Sequence, residues 1–344
     1  LFKMANRGAL RSDDVIIADE AHERTEPMIF LLGITKEILP QNSDMRLIVS
    51  SATINTQKFA DKLSNPETGE PAPIMILPGR THPIEDTVTS DSVATAARKL
   101  MKEGENVLAF ESGIARQKET QAKMASRKSG DSVHLLYGDQ TPNEQKKALN
   151  PEDHNHIVGN KIAETSITPV NKTAVVDSGL SNIGLYEAGK RVLKTVFSSQ
   201  ATMQQRRGRV GRTQPGKYTI AVPDNAPPPP TFEERDEYDA PPIEVSSVAA
   251  YIAELAVSGR NIKQLDLLEN PTHENLQHDY KVLKRLGAIA VRGDEITLTP
   301  VGRRMVDLPL DVSLSRMLVE ARTINKFYDV DPDTVSLQVA AAAA

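Results

Sequence analysis

The sequence predicts an α/β protein with parallel sheets, followed by a smaller helical region. Short apolar, β-branched runs alternate with helical stretches from residue 15 to residue 223, as strands and helices do in a doubly wound sheet. Two of these runs, residues 15–18 and 47–49, predict buried strands that lead directly into polar residues. Because ligands of such sheets bind at the carboxyl ends of the strands, these two ends predict a functional site.

The composition is that of a soluble chain with more than one domain. Its 344 residues carry 41 Lys and Arg against 46 Asp and Glu, which gives a net charge of −5. This balance excludes binding of nucleic acid by bulk charge alone, so any such contact must be local. The absence of cysteine excludes disulfides and thiolate metal sites. With neither a signal peptide nor a long apolar run, we expect a soluble intracellular protein with no membrane contact.

A second set of strands and helices spans about residues 91–223. Its apolar runs predict strands at residues 107–110, 133–136, 156–158, 174–177 and 218–222. The unit ends at residues 224–242, a proline-rich acidic segment that predicts an extended, solvated linker.

The remainder of the chain predicts a winged helix. Apolar residues recur at helical spacing in residues 245–257 and 276–286. Residues 288–298 then alternate around a turn at residues 292–294, as the two strands of a wing do.

Two carboxylates follow the first predicted strand. Asp19 and Glu20 come directly after residues 15–18 and shortly before His22. At a strand end, one carboxylate can hold a hydrated magnesium ion while the other orients or deprotonates a water. An Asp-Glu pair alone is more often solvated surface. The strand before it favours the phosphoryl-transfer interpretation.

Four arginines lie within residues 205–212. Arg209 and Arg212 are three residues apart, which predicts neighbouring positions on one helix face. Planar guanidinium groups suit the oxygens of a triphosphate. The alternatives are a solvated basic stripe or an arginine-rich nucleic-acid patch. Gly208 and Gly211 disfavour a simple solvated helix, since each glycine costs about 1 kcal/mol there.

Four ordered motifs resemble those of the DEAH-box helicases of superfamily 2. Residues 15–25, VIIADEAHERT, resemble the Walker B motif, and residues 51–53 resemble motif III. Residues 162–168 and 205–212 resemble motifs V and VI. Residues 298–318 are similar to the boundary between winged helix and ratchet in the DEAH/RHA group. The resemblance covers almost the whole chain.

This resemblance implies two RecA-like parallel-sheet domains, the first incomplete, followed by a helical winged-helix domain and the start of a ratchet-like region. The implied limits are 1–88 and 89–223 for the RecA-like domains, 224–242 for the linker, 243–309 for the winged helix and 310–344 for the ratchet-like start. The family's glycine-rich phosphate loop precedes the DEAH motif and has no match in this sequence. The oligonucleotide-binding fold that the group carries downstream is also missing. We therefore expect a chain truncated at both ends that is inactive alone.

The resemblance also implies an ATP-driven motor on single-stranded nucleic acid, with RNA favoured over DNA. By similarity, Asp19 holds Mg²⁺ through water, Glu20 activates the attacking water, and His22 bonds toward Gln205. Arg209 and the neighbouring Arg212 act as arginine fingers on ATP or another nucleoside triphosphate.

Further roles follow from the same resemblance. Ser51 and Thr53 couple hydrolysis to movement, although a hydroxyl-capped strand end is the plainer interpretation. Thr168 reaches the nucleotide sugar.

The implied nucleic-acid track contains Ser112, Asn160 and Lys161. Asn160 and Lys161 stand where relatives usually have Thr-Asn, so a mobile point charge replaces a short hydroxyl contact. Each of these positions could equally be neutral loop variation.

Two other functions remain open. A DNA translocase carries the same motifs, and hydrolysis stimulated by only one polymer separates it from an RNA helicase. A structural protein could keep the helicase fold without turnover. The missing phosphate loop favours that alternative if the sequence is complete, whereas the intact Asp19, Glu20, Gln205, Arg209 and Arg212 oppose it.

Overall fold

The computed structural model describes residues 1–52, 55–65, 68–77, 79, 82–125, 131–150, 155–164, 171–187, 190–223 and 229–328. The chain divides into two compact units. Unit 1 comprises residues 1–74, 185–191 and 240–344, and unit 2 comprises residues 75–184 and 192–239.

The strands alternate with helices over most of the chain. The strands are β1 (Val15–Ala18), β2 (Arg46–Val49), β3 (Ile84–Ser92), β4 (Val107–Phe110), β5 (Ser132–Leu136), β6 (Asn155–Gly159), β7 (Ala174–Asp177), β8 (Leu180–Glu187), β9 (Lys190–Phe197), β10 (Gly216–Val222), β11 (Ile289–Arg292) and β12 (Glu295–Leu298). The helices are α1 (Phe2–Asn6), α2 (Glu26–Ile38), α3 (Thr56–Lys62), α4 (Val93–Lys102), α5 (Ile114–Met124), α6 (Pro142–Ala148), α7 (Lys161–Glu164), α8 (Gln200–Arg207), α9 (Pro242–Val245), α10 (Ala249–Leu255), α11 (His273–Arg285), α12 (Pro300–Val306) and α13 (Val312–Tyr328).

Unit 2 is built on a six-stranded parallel sheet in the order β3-β10-β7-β4-β6-β5. The five strands predicted from apolar runs are confirmed. The sixth, β3, was missed because its sequence, IEDTVTSDS, is mostly polar. Among the described strands it is an edge strand that pairs with β10, and this pairing, with Ile84 packed against the adjoining apolar cluster, holds it in the sheet.

The central strands of this sheet are buried on both faces. In β4, Val107 and Ala109 pack in a cluster with α4, whereas Leu108 and Phe110 pack in a second cluster on the opposite face. This arrangement explains why β4 is a continuous apolar run, as expected for a parallel strand covered on both sides.

In unit 1, β1 and β2 form a two-stranded parallel sheet. The prediction of fully buried strands is wrong for this pair. Ile16 and Ala18 are buried, but Val15 and Ile17 on the other face are 57% and 59% exposed. Strand side chains alternate between faces, and the described part of unit 1 covers only one face of β1.

The N-terminal segment and the C-terminal helical region of unit 1 share one hydrophobic core, although the sequence predicts separate domains. Phe2 of α1 and Phe30 of α2 both pack against Tyr251 of α10, and the rings of Phe30 and Tyr251 stack with centroids 4.6 Å apart. The same core continues to Leu283 of α11 and Met305 of α12. The predicted domain limits remain predictions.

The winged helix is confirmed by α10, α11 and the antiparallel pair of β11 and β12. Thr272 is the N-cap of α11, and its side chain accepts a hydrogen bond from the backbone N–H of Asn275. Gly302 of α12 packs so closely that an added Cβ would lie 2.0 Å from the carbonyl oxygen of Ala288. This glycine therefore allows α12 to pack against the base of the wing.

Helices of the described residues include none that is long and apolar enough to cross a membrane.

Candidate functional site

The carboxyl end of β1 continues into a strained turn, which we call the DEAH turn (residues 19–24). A 3-10 turn at Ala21–Glu23 is flanked by Glu20 and Arg24, whose φ angles of 54° and 44° are left-handed. Such a conformation costs a non-glycine residue on the order of 1–3 kcal/mol, and surrounding contacts must hold it. One such contact is the bond from the backbone N–H of Ala21 to the carbonyl of Ser50, at 3.0 Å.

Asp19 is held in one orientation at the end of β1. The Ser50 hydroxyl donates to its Oδ1 at 2.5 Å, and the backbone N–H of Glu20 donates to the same oxygen at 2.9 Å. The Ser50 bond first, and then the Glu20 bond, hold the pKa of the Asp19 carboxyl below its ordinary value. The carboxylate is therefore ionised and exposed, with Oδ2 not engaged by either donor.

His22 connects the DEAH turn to the residues after β2. Its Nδ1 lies 3.1 Å from Ser51 Oγ and 3.4 Å from Glu20 Oε2. The structure thus brings Asp19, Glu20, His22 and Ser51 together at the carboxyl ends of two paired strands, whereas their roles and a bond from His22 toward Gln205 stay predictions. Thr53 and Thr168, the other coupling and sugar candidates, lie outside the described residues.

The arginines of motif VI belong to unit 2, and the prediction that they share a helix face is wrong. Helix α8 ends at Arg207, and Gly208 is its C-cap, so Arg209 and Arg212 lie beyond the helix. Gly211 has a φ of 72°, and a Cβ there would lie 2.6 Å from a side-chain carbon of Ile84. The glycines therefore end the helix and allow a close approach to β3.

The candidate residues of motif VI, namely Gln205, Arg209 and Arg212, contact other parts of unit 2 or lie on its surface. Arg209 Nη2 donates to the backbone carbonyl of Glu164, and Arg212 Nε donates to the carbonyl of Gly208 at 2.8 Å. Gln205 is half-buried on α8, and Arg212 is exposed.

A buried charge network lies beneath these residues, and the sequence analysis did not single it out. Arg206 is buried and donates to Glu164 at 2.9 Å and to Asp177 at 2.8 Å. The Tyr218 hydroxyl donates to the other oxygen of Asp177 at 2.8 Å, and the guanidinium lies 5.1 Å from the centroid of the Phe110 ring. The sequence signal for this network was weak: Glu164 lies within the segment that resembles motif V, and Asp177 ends the apolar run at residues 174–177.

Burial shifts the protonation equilibria of this network. Desolvation raises the pKa of Glu164, against the opposing charge of Arg206. Burial alone would lower the pKa of the Arg206 guanidinium, but the charges of Asp177 and Glu164 hold it above its ordinary value. Desolvation and the Asp177 charge also raise the pKa of Tyr218. Arg206 is therefore a permanent cation that neutralises two buried carboxyl groups.

The segment after β10 is not a solvated linker over its described part. Arg235 is buried and donates to the carbonyl of Gly179 at 2.9 Å. Asp239 accepts from the backbone N–H of Ser199 at 3.3 Å and from the Thr202 hydroxyl at 2.9 Å, at the start of α8. Proline and charge content predict exposure, but these long-range hydrogen bonds outweigh that tendency.

The predicted nucleic-acid residues follow neighbouring strands of the unit 2 sheet. Ser112 comes after β4 and Asn160 after β6, and these strands pair in parallel. Ser112 is buried, with no hydrogen-bond partner for its hydroxyl among the described residues. Asn160 Oδ1 accepts from the backbone N–H of Ile162 at 3.2 Å, and Lys161 is exposed at the start of α7. Their role in binding remains a prediction.

Comparison with known proteins agrees with this arrangement. Residues 92–214 match the family "Helicase conserved C-terminal domain", and residues 280–310 match "Helicase associated domain (HA2), winged-helix". The chain is 31% identical over 330 residues to the ATP-dependent RNA helicase HrpA of Escherichia coli K12, covering 90% of this chain and 24% of that protein. It is 29% identical to an HrpA homolog of Haemophilus influenzae, covering 96% of this chain and 26% of that protein.

Two crystal structures of Escherichia coli HrpB have the same fold. One, described as a DExH-box NTPase, has a TM-score of 0.76 and 28% identity, over 93% of this chain and 40% of the other. The second, described as a DEAH/RHA helicase, has a TM-score of 0.78 and 27% identity, over 99% and 43%. The chain thus spans about a quarter of the length of its curated HrpA relatives.

The parallel sheet of unit 2, its arginine motif and the winged helix define a helicase C-terminal region with its associated domain. More narrowly, the chain belongs to the DEAH/RHA group of helicases and is similar to HrpA and HrpB.

Replacing Arg206 by Met is expected to destabilise unit 2 by about 3–5 kcal/mol, because it leaves Glu164 and Asp177 buried without their cation. Urea unfolding followed by circular dichroism measures the change. Arg207→Met is the matched control, since its pair with Asp86 is partly exposed and is worth about 1 kcal/mol or less. Equal losses in the two variants would contradict a structural role for the network.

Proposed function

We propose that this chain is part of an ATP-dependent RNA helicase that couples hydrolysis to movement along single-stranded RNA. The observation that carries the proposal is the DEAH turn, in which an ionised Asp19 and an exposed Glu20 follow a parallel strand. In this proposal residues 1–74 form part of a first RecA-like domain, and the helix after residue 310 begins a ratchet-like region.

Asp19 suits a hydrated magnesium ion. No group of three or more potential metal ligands occurs among the described His, Asp and Glu residues. A single fixed carboxylate fits an ion that keeps most of its waters and takes its other ligands from phosphate. The bound ion would neutralise charge on the phosphate oxygens. Asp19 Oδ1 is occupied by its two donors, so Oδ2 would accept from the metal-bound water.

Glu20 is the proposed base that orients the attacking water. Its backbone is left-handed, and its carboxylate is more than half exposed. His22, close to both Glu20 and Ser51, would link the state of this carboxylate to the residues after β2. We propose Ser51 as a coupling residue on this basis, and Thr53 by resemblance.

The positive charge for the transition state is proposed to come from Arg209 and Arg212, with Gln205 beside them in motif VI and Thr168 at the nucleotide sugar. The buried Arg206 supports this assignment, because it anchors the last turn of α8 directly before the two arginines. Fixed guanidinium groups stabilise charge as it develops on the transferred phosphoryl group.

RNA is the proposed polymer because the HrpA relatives are named as RNA helicases. Ser112, Asn160 and Lys161 follow the carboxyl ends of β4 and β6, where a strand could be held by its phosphates. Comparing hydrolysis with RNA and DNA homopolymers tests this choice. Stimulation by DNA alone would instead support a DNA translocase.

Glu20→Gln in the full-length protein is expected to preserve nucleotide binding and to lower the rate of ATP hydrolysis by several orders of magnitude, because the amide cannot take the proton of the water. Phosphate release under single-turnover conditions measures the rate. Glu23→Gln, on the same turn with the same charge change, should hydrolyse normally. Near-normal turnover by Glu20→Gln would remove Glu20 from the mechanism.

Arg209→Ala and Arg212→Ala are each expected to lower kcat by about 10³ with little change in nucleotide affinity, since a finger acts mainly on transition-state charge. Steady-state kinetics and equilibrium binding of a fluorescent nucleotide separate the two effects. Arg207→Ala, which loses an exposed pair with Asp86, is the control and should keep its rate. Equal losses in rate and affinity would make these arginines ground-state ligands.

Lys161→Ala is expected to weaken single-strand binding about equally for all sequences and to lower the salt slope by about 0.7, the value for one lost phosphate contact. Fluorescence anisotropy with homopolymer RNA at several salt concentrations measures the slope. Lys102→Ala is the control. Lys102 is exposed and ends α4 shortly before β4 begins, so it lies toward the amino ends of the strands and not toward their carboxyl ends. An unchanged slope for Lys161→Ala would show that the strand does not contact this lysine.

A further inference from the structure

Two acidic residues between α10 and α11 bind the N-terminal part of unit 1. We call residues 265–269 the acidic loop. Asp266 and Glu269 of this loop each pair with two basic side chains from the first 62 residues of the chain. The loop precedes α11 of the winged helix, so these four ion pairs join the winged-helix region to the elements around the DEAH turn.

Glu269 is the buried member of the pair. Its Oε1 accepts from Arg24 Nη1 at 2.7 Å and from Lys58 Nζ at 3.0 Å. The Glu269 side chain is 5% exposed and that of Arg24 is 14% exposed. Glu269 Oε2 is also buried, and it has no hydrogen-bond partner among the described residues. A carboxylate in this position is costly to desolvate, so its two cations must hold it firmly.

Both cations come from segments that adjoin the proposed catalytic residues. Arg24 is the last residue of the DEAH turn and has a left-handed backbone. Lys58 lies in the first turn of α3, a few residues after the segment that resembles motif III. Glu269 therefore contacts, through one oxygen, the two segments that follow β1 and β2.

We propose that Glu269 is a positioning residue for ATP hydrolysis, which acts through Arg24 to keep the DEAH turn in its strained conformation. The turn has left-handed residues at both ends, Glu20 and Arg24. Because the ion pair with Glu269 holds Arg24 in place, it also restrains the backbone of the turn and so the position of Glu20. Loss of the tether lets the turn relax and moves the Glu20 carboxylate. The winged-helix region thereby influences the rate of hydrolysis. This inference rests on the proposed role of Glu20.

Asp266 provides the matched control. It accepts from Lys36 Nζ at 2.5 Å and also from Lys62 Nζ, so, like Glu269, it binds two cationic side chains. Its side chain is 53% exposed, and Lys36 and Lys62 lie in α2 and α3 outside the DEAH turn. Asp266→Asn and Glu269→Gln remove the same charge from the same loop, but only Glu269→Gln removes the negative charge that holds Arg24.

The first measurement is hydrolysis by the full-length protein. Glu269→Gln is expected to lower kcat by about 10- to 100-fold, the size of effect that small misplacement of a catalytic group produces, with nucleotide affinity changed less than about twofold. Asp266→Asn should keep kcat within about twofold of the wild type. The double variant Arg24→Gln with Glu269→Gln should be no slower than Arg24→Gln alone, because the two residues act as one unit.

The second measurement is amide hydrogen exchange without nucleotide. The N–H groups of Ala21, Glu23 and Arg24 bond within the turn or to Ser50. Their exchange should accelerate at least about tenfold in Glu269→Gln and stay unchanged in Asp266→Asn, since local opening becomes easier only when the tether is lost. If Glu269→Gln does not fold, Arg24→Gln carries the same test.

Normal kcat or unchanged exchange in Glu269→Gln would overturn the inference, as would equal effects of Asp266→Asn. These outcomes are separable from failure of the proposed function. If Glu20→Gln abolishes hydrolysis while Glu269→Gln does not alter it, Glu20 keeps its role and Glu269 loses the one proposed here. If Glu20→Gln hydrolyses ATP normally, accelerated exchange would still establish the tether but not its link to catalysis, and the inference would fall with the function.

Discussion

The carboxyl ends of parallel strands share one edge of a sheet, and the placement of the site residues depends on this constraint. In unit 1, the pairing of β1 with β2 brings Ser50 within 2.5 Å of Asp19, although 31 residues separate them in the chain. In unit 2, the pairing of β4 with β6 places Ser112 and Asn160 after neighbouring strand ends. Ladder hydrogen bonds satisfy the backbone up to that edge, so polar side chains can gather there without leaving buried backbone groups unpaired.

A buried charge network positions the second set of candidate residues. Arg206 lies between Glu164 of α7 and Asp177 of β7, and Tyr218 of β10 completes the network. Desolvating these groups is expensive, and a nonpolar replacement of the whole set could be as stable. The network nevertheless requires α7, β7 and β10 to lie at fixed positions around Arg206 of α8. This arrangement sets the position of Arg209, which lies just beyond the end of α8 and donates a hydrogen bond to the backbone carbonyl of Glu164.

Unit 1 shows how one core can serve two segments that are far apart in sequence. Phe2 and Phe30 pack on Tyr251, more than 200 residues later, so neither segment buries this surface alone. The ion pairs of the acidic loop lie beside this core. They restrict how the two segments can pack, because each cation must meet its carboxylate at hydrogen-bond distance. The winged-helix region is thus packed onto the elements that carry the DEAH turn, and the coupling proposed between them rests on this packing.

Apolar periodicity and turn residues are local signals, and they were enough to predict the parallel strands other than β3, the winged helix and the position of Asp19 and Glu20 at a strand end. The folded chain was needed to show that α8 ends before Arg209, that Arg235 is buried and that Glu269 pairs with Arg24. It also decided that one face of β1 is exposed in the described part of unit 1. These features depend on desolvation and on contacts between residues far apart in the chain, and such contacts leave no periodic trace in the sequence.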